Sequence, residues 1–244
     1  MQEEKLKLEG ICKSFNDKHV LDHLSVDVFE GEHVTLLGPS GCGKSTVMNI
    51  LTGTTEADQG SVTVNGKIGY MQQKDLLLPW KTCLENVTLP LILKGTSKQE
   101  AEQKVLPYFK TFLLEGFENH YPAEMSGGMR QRAAFLRTFL SSGDILLLDE
   151  PFGAVDSITR STLQEWLIEI TSELKLTILM ITHDIDEAIL LSDRIYVLSN
   201  KPASVRDEIC LDTDAKEKKE RLLDPAFLQY RKRITEDLKN DSVN

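Results

Sequence analysis

The stretch Gly38-Pro39-Ser40-Gly41-Cys42-Gly43-Lys44-Ser45-Thr46 constrains this chain more than any other, because its spacing, G-x-x-x-x-G-K-[ST], builds a phosphate-binding P-loop. Such a loop needs a buried strand before it and a helix after it. Val34-Thr35-Leu36-Leu37 reads as the strand, and Val47 to Leu51 opens the helix. Glycines let successive amides turn toward phosphate oxygens, and the helix N-terminus adds partial positive charge. Gly38 to Thr46 are therefore candidate contacts to a nucleoside triphosphate. Lys44 is placed to reach the β- and γ-phosphates, Ser45 to ligate Mg²⁺, and Thr46 to lie near the α-phosphate.

A second cluster narrows the chemistry. Ile145-Leu146-Leu147-Leu148-Asp149-Glu150 is a short apolar run ending in two acids, the form of a buried parallel strand that delivers carboxylates at its C-terminal edge. Asp149 suits Mg²⁺ held through water, and Glu150 suits polarising an attacking water. A strand followed by a solvated acidic turn has the same local form. Upstream, Ser126 reads as an N-cap, and Met129, Ala133, Leu136 and Leu140 recur on one helical face. A helix thus begins beside Gly127 and Gly128, with a positive end suited to a γ-phosphate.

Met125-Ser126-Gly127-Gly128-Met129-Arg130-Gln131-Arg132, between the P-loop and the acidic strand, resembles the signature of the ATP-binding cassette (ABC) family in its Ser-Gly-Gly-Met form. The resemblance covers roughly residues 5 to 210 and implies ATP as the nucleotide, with Ser126, Gly127 and Gly128 facing the ATP of a second copy of the chain. Tyr70-Met71-Gln72-Gln73-Lys74-Asp75 resembles the Q-loop, whose glutamine reaches Mg²⁺ or the attacking water. Gln72 and Gln73 both fit, and the distance to Leu78-Pro79-Trp80 favours Gln73. Pro151 to Asp156 resembles the D-loop, with Asp156 as its acid. His183, after the buried run Ile178 to Ile181, resembles the switch histidine that contacts the γ-phosphate. Where the family commonly stacks adenine on Tyr, Lys13-Ser14-Phe15 offers Phe15, which keeps the π-face and loses the hydroxyl.

The fold implied is an α/β P-loop NTPase with a mixed central sheet, an N-terminal antiparallel β subdomain and an inserted helical subdomain at about residues 76–142. The expected division is an ATPase domain over 1–212 and a helical tail over 213–244. Leu77 to Lys81, the signature and Thr182 to Ala188 resemble most the nitrate, sulfonate and taurine importer group, which includes importers of thiamine-pyrimidine precursors. The Tyr70 to Asp75 context leans toward the last of these. Transmembrane permease subunits, an ATP-dependent homodimer and, indirectly, an extracytoplasmic solute-binding protein are the implied partners. The implied location is the cytoplasmic face of the membrane. Trp80 or Leu78 would anchor a permease helix or, equally, pack into the core.

Composition is compatible with this resemblance. A chain of 244 residues, 41% hydrophobic, can bury a large core. A net charge of −10 argues against binding nucleic acid, whose partners concentrate positive charge. No apolar run approaches the ~18 residues of a transmembrane helix, and the N-terminus lacks a signal-peptide core. Cys12, Cys42, Cys83 and Cys210 are scattered without C-x-x-C spacing, which disfavours zinc and fits reduced thiols. Cys42 reads as a small spacer in the loop, although alkylation there would obstruct nucleotide entry. A translation factor of the family would carry two cassettes, and a repair ATPase a long coiled coil between P-loop and signature, where fewer than about 90 residues intervene here.

Asp58-Gln59-Gly60 and Asn65-Gly66 bracket Ser61 to Val64 as a hairpin strand. Ser97 to Glu100 forms a capping box before a helix over Ala101 to Phe112. Ile158 to Leu174 and Asp186 to Leu191 read as helices between strands. Beyond a charged run, Lys216 to Arg221, Asp224-Pro225 begins a tail helix whose Phe227, Tyr230, Ile234 and Leu238 share one face.

Overall fold

Six strands form the central sheet in the spatial order β5 (Ile68–Met71), β6 (Ile145–Asp149), β7 (Thr177–Thr182), β3 (His33–Leu37), β8 (Arg194–Leu198) and β9 (Val205–Cys210). The first five run parallel, and β9 returns antiparallel, so the sheet is mixed as expected. The computed structural model of the chain describes residues 3–142, 144–153, 155–211, 221 and 224–239. Strands β7 and β8 are buried along their whole length. Helices and a second sheet cover both faces, which is why these strands read as unbroken apolar runs.

The second sheet is three-stranded and antiparallel, ordered β2 (Lys18–Phe29), β1 (Glu4–Phe15) and β4 (Gln59–Val64). The strand expected at Ser61 to Val64 forms, but it is not half of a hairpin. Among the described residues strand β4 pairs only with β1, Leu6 opposite Val64 and Leu8 opposite Val62, and the chain then crosses to β5 in the other sheet. Asn65-Gly66 makes that crossing, with Gly66 at φ 147°. A Gly-containing turn gives the same local signal whether the chain doubles back or changes sheet.

Apolar residues of β1 and β2 pack with β3, α1 (Lys44–Leu51) and the near face of the sheet, burying Leu8, Ile11, Leu24, Leu36 and Met48. Arg194 joins the two sheets. Only 8% exposed, its guanidinium donates to Glu32, Glu208 and Asp27 and to the Tyr196 hydroxyl. Burial works against the Asp27 carboxylate, but the bonds from Tyr196 and Arg194 outweigh it and hold that group below the usual range.

The insertion between β5 and β6 is helical: α2 (Cys83–Leu93), α3 (Lys98–Thr111) and α4 (Gly127–Ser142). Its core continues into the other face of the sheet, where Phe112 and Phe135 each meet the ring of Trp166, edge on, or nearly so, at 5.4 Å. Ser97 caps α3 by accepting from the Glu100 amide at 3.3 Å, while the Glu100 carboxylate pairs with Lys104. The fully reciprocal box is at Thr82 and Glu85, opening α2.

Three helices complete the fold: α5 (Ser157–Leu174), α6 (Ile185–Leu191) and α7 (Pro225–Lys239). In α7, Phe227 and Ile234 are buried against Ala188, Ile189 and Ile195, with Tyr230 and Leu238 partly buried beside them. The tail helix therefore docks on α6 and the sheet. Of the expected charged run Lys216 to Arg221, all but Arg221 lies outside the described residues, as does Ala154 of the segment Pro151 to Asp156.

Candidate active site

The C-terminal edge of the parallel strands gathers the candidate residues. Strand β3 ends at Leu37, the loop wraps through Gly38 to Gly43, and α1 begins at Lys44. Gly43 sits at φ 134°, a conformation that side chains rarely adopt, and a Cβ there would crowd Leu21 Cδ2 at 2.9 Å and Val20 Cγ1 at 3.1 Å. Lys44 is buried, and its Nζ donates to the Gly38 and Pro39 carbonyls at 2.7 and 2.9 Å. The ammonium thus folds back across its own loop. Ser40, Gly41, Gly43, Lys44, Ser45 and Thr46 line a cleft of about 250 Å³ with Glu150, Ile181 and Lys201. Cys42 turns away into the core, where burial pushes its thiol above the ordinary value. Its place is that of a spacer rather than a reactive group.

Glu150 follows β6 in a left-handed backbone conformation, φ 44°, and its amide donates to the Ile181 carbonyl at 2.9 Å. Outside glycine that conformation is uncommon and strained, and it aims the side chain across the strand ends. Both carboxylate oxygens are engaged: Oε2 accepts from Gln73 Nε2 at 3.0 Å, and Oε1 meets His183 Nδ1 at 3.0 Å. Of the two glutamines left open by sequence, Gln73 joins this group, and Gln72 lines a separate cleft with Lys74 and Arg137. Asp149 accepts from the Tyr70 hydroxyl at 3.1 Å; burial raises its carboxyl above the usual range despite that bond.

Ser126, Gly127 and Gly128 do not line the P-loop cleft. They open α4, where the Ser126 hydroxyl accepts from the Met129 amide at 3.2 Å. Gly128 is buried against α5, and a Cβ there would lie 2.8 Å from Thr159 Cγ2. Asp156 caps α5 by accepting from the Thr159 amide at 3.1 Å, and the Thr159 hydroxyl first, then that amide, hold its carboxyl below the usual range. Phe15 ends β1, 44% exposed, with Lys13 Nζ 5.3 Å above its ring, and lies outside the cleft lining.

Several residues that tie the site together were not singled out from sequence. Arg130 holds Asp75 at 3.1 Å and the Met125 carbonyl at 2.7 Å, Arg137 holds the Asp75 and Leu76 carbonyls, and Gln131 donates to the Pro151 carbonyl. Helix α4 is thereby bonded both to the loop carrying Gln73 and to the loop after Glu150. Asn86, fully buried on α2, clamps Leu78 through its amide and carbonyl at 2.7 and 3.1 Å. Trp80 beyond it is 70% exposed, so core packing is not its role, whereas Leu78 is half-buried.

A family model described as ABC transporter matches residues 21–153. The chain belongs to the ABC transporter family. This cassette is 45% identical over 223 residues to the formylaminopyrimidine import ATP-binding protein ThiZ of Halalkalibacterium halodurans, covering 90% of each chain. It is 40% identical to the aliphatic sulfonates import ATP-binding protein SsuB of Bacillus cereus, over 84% of this chain and 85% of the relative. Among solved structures it resembles the dimeric, post-hydrolysis state of the ATP-binding cassette MJ0796 bound to ADP and Pi. That match has a TM-score of 0.71 at 32% identity, covering 86% of this chain and 100% of that one. Ser126 to Gly128 follow Gly38 to Thr46 in the order expected, and they do not line the cleft that the latter stretch lines.

Proposed function

We propose that this chain is the ATP-binding and hydrolysing subunit of an ABC importer, energising uptake of a small solute through a separate permease. The carrying observation is the Glu150 carboxylate, held between Gln73 and His183 at the rim of the P-loop cleft. Lys44 would exchange the Gly38 and Pro39 carbonyls for β- and γ-phosphate oxygens, a charge-for-dipole gain made where water is excluded. Glu150 would accept a hydrogen bond from water aimed at the γ-phosphate and draw off its proton, and His183 would steady the departing charge. Phe15 would stack on adenine and Asp156 would face the partner copy.

The Ser45 hydroxyl, the Gln73 amide carbonyl and the Asp149 carboxylate would offer oxygen ligands, a set that fits Mg²⁺ rather than a soft metal. Bound there, Mg²⁺ would supply Lewis-acid neutralisation of the phosphate charge. That Ser126 to Gly128 do not line their own chain's cleft supports a head-to-tail homodimer, each ATP lying between one P-loop and the other copy's signature.

Exposed Leu76, Trp80 and Leu93 support a permease surface beside the Gln73 loop, and through it an indirect link to a solute-binding protein. No described helix is long and apolar enough to cross a membrane, which is compatible with a peripheral subunit on the cytoplasmic face. Relatedness to ThiZ favours a pyrimidine precursor as cargo over a sulfonate. We take residues 1–212 as the ATPase unit and 213–244 as its tail.

Glu150→Gln tests the core of this proposal. Hydrolysis is expected to fall by about 100-fold or more with ATP affinity retained, and dimers to accumulate in Mg²⁺-free ATP, read by light scattering. Wild-type turnover by the variant would end the assignment. If the variant stays monomeric, the same measurement belongs in the assembled transporter.

A further inference from the structure

From the antiparallel sheet we infer a second metal site, separate from the nucleotide cleft: Cys12, His19 and Asp22 form a three-ligand site for a thiophilic divalent cation of the Zn²⁺ class. One ligand atom from each lies within 4.8 Å of the other two. Spacing along the chain gives no hint of it, because the site is cross-strand. Strands β1 and β2 pair Ser14 with His19 and Ile11 with Leu24, which brings Cys12 to the same stretch of β2 as Asp22. The register is irregular here, shifting between Ile11 and Lys13 and again between Lys13 and Ser14. Such irregularities re-aim side chains that a regular ladder would keep apart.

The surrounding bonds are those a metal-bound thiolate and carboxylate need. His23, in a left-handed conformation at φ 46°, points its amide at Cys12 Sγ, 3.4 Å away. Its exposed ring Nδ1 meets Asp22 Oδ1 at 2.8 Å and can follow the carboxylate as it turns. One residue therefore contacts two candidate ligands, as outer-shell groups do in metal sites. The Cys12 thiol has little to give up, its other contact being the Gly10 carbonyl at 3.9 Å. Cys12 is buried and fixed; His19 is exposed and Asp22 half-exposed, so those two can swing inward and solvent has a path to the site. In a tetrahedral Zn²⁺ site, ligand atoms at ~2.0–2.3 Å from the metal are about 3.3–3.8 Å from one another. Side-chain rotation of His19 and Asp22 covers that difference.

One soft sulfur, one imidazole and one carboxylate select Zn²⁺ over Mg²⁺ or Ca²⁺. The nearby Asp58 is already taken by Lys13 Nζ and the Ser14 amide, which leaves the fourth position to water. On binding, the thiol proton passes to the buffer. A filled site would pin the end of β1, three residues before Phe15, to the strand whose Val20 and Leu21 pack on Gly43.

Co²⁺ is the probe, added to the full chain without nucleotide or Mg²⁺. We expect one equivalent to bind with an intense near-ultraviolet thiolate-to-Co²⁺ charge-transfer band and tetrahedral visible bands, all displaced by Zn²⁺. Cys12→Ser abolishes the charge-transfer band, and His19→Ala and Asp22→Asn each weaken binding at least 10-fold. Cys210→Ser, which removes the exposed cysteine, leaves the spectrum unchanged. His19→Ala changes an exposed side chain, so it keeps the test open should Cys12→Ser fail to fold. An octahedral spectrum without the charge-transfer band, a band that survives Cys12→Ser, or a Co²⁺ affinity unchanged in His19→Ala overturns the site and leaves the nucleotide cleft untouched.

Discussion

Glu187 is 6% exposed, accepts from the Thr182 hydroxyl through one oxygen and finds no partner for the other. Burial, against that hydrogen bond, pushes its pKa up to about 7. The folded chain thus keeps a proton that the unfolded chain releases near pH 4.5, the group's ordinary value. Stability from this group is full below that pH, declines as pH rises toward 7 and is level above it. The loss is on the order of 3 kcal/mol. Urea midpoints between pH 5 and 8 should show that decline in the wild type and a flatter profile in Glu187→Gln. A second residue-scale prediction concerns Gly128, where a methyl would press on Thr159 Cγ2 from 2.8 Å. Gly128→Ala should cost about 1–3 kcal/mol by overpacking. Thr159→Ser removes the opposing methyl and keeps the Thr159 amide bond to Asp156, so the double variant should recover most of the loss in chemical denaturation.

At the scale of elements, the strands and helices whose order is local in sequence were legible, and their partners were not. Leu36-Leu37 and Ile145 to Leu148 announce buried strands because both faces are apolar, and Ser126 announces α4 because its hydroxyl caps the helix. Asn65-Gly66 misled because a turn's φ angles say nothing of which strand comes next. Gln73, Glu150 and His183 were each visible as motifs, but their convergence depends on three strand ends brought level by the sheet. Arg130, Arg137 and Asn86 escaped because their partners lie in other elements, and Lys201 because nothing in its neighbourhood marks it. Helix α7 is the element whose removal is most informative. A chain ending at Asp224 uncovers Ala188, Ile189 and Leu211 and loses buried Phe227 and Ile234. At about 1.5–3 kcal/mol for each large side chain, up to about 6 kcal/mol is lost. Thermal melts should show a large drop, while nucleotide affinity, read on the folded fraction, stays within about twofold.

For the whole molecule, the separation of Ser126 from its own P-loop cleft leads to a test by mixing. Lys44→Ala should destroy the nucleotide grip and Ser126→Arg should leave it intact, yet neither alone should hydrolyse ATP. In a mixed dimer one composite site carries both defects and the other carries neither, so combining the two inactive variants should restore turnover. Activity that stays absent on mixing would mean that the signature serves its own chain. The contact between Glu150, Gln73 and His183 has a further meaning at this scale. With one oxygen bonded to Gln73 and the other to His183, both Glu150 oxygens are engaged, and each keeps a further lone pair for water. The carboxylate proposed to draw a proton from water is thus held by the two side chains proposed to assist it. A shift of the loop of Gln73 or of the strand end of His183 would therefore re-aim the Glu150 carboxylate toward the cleft.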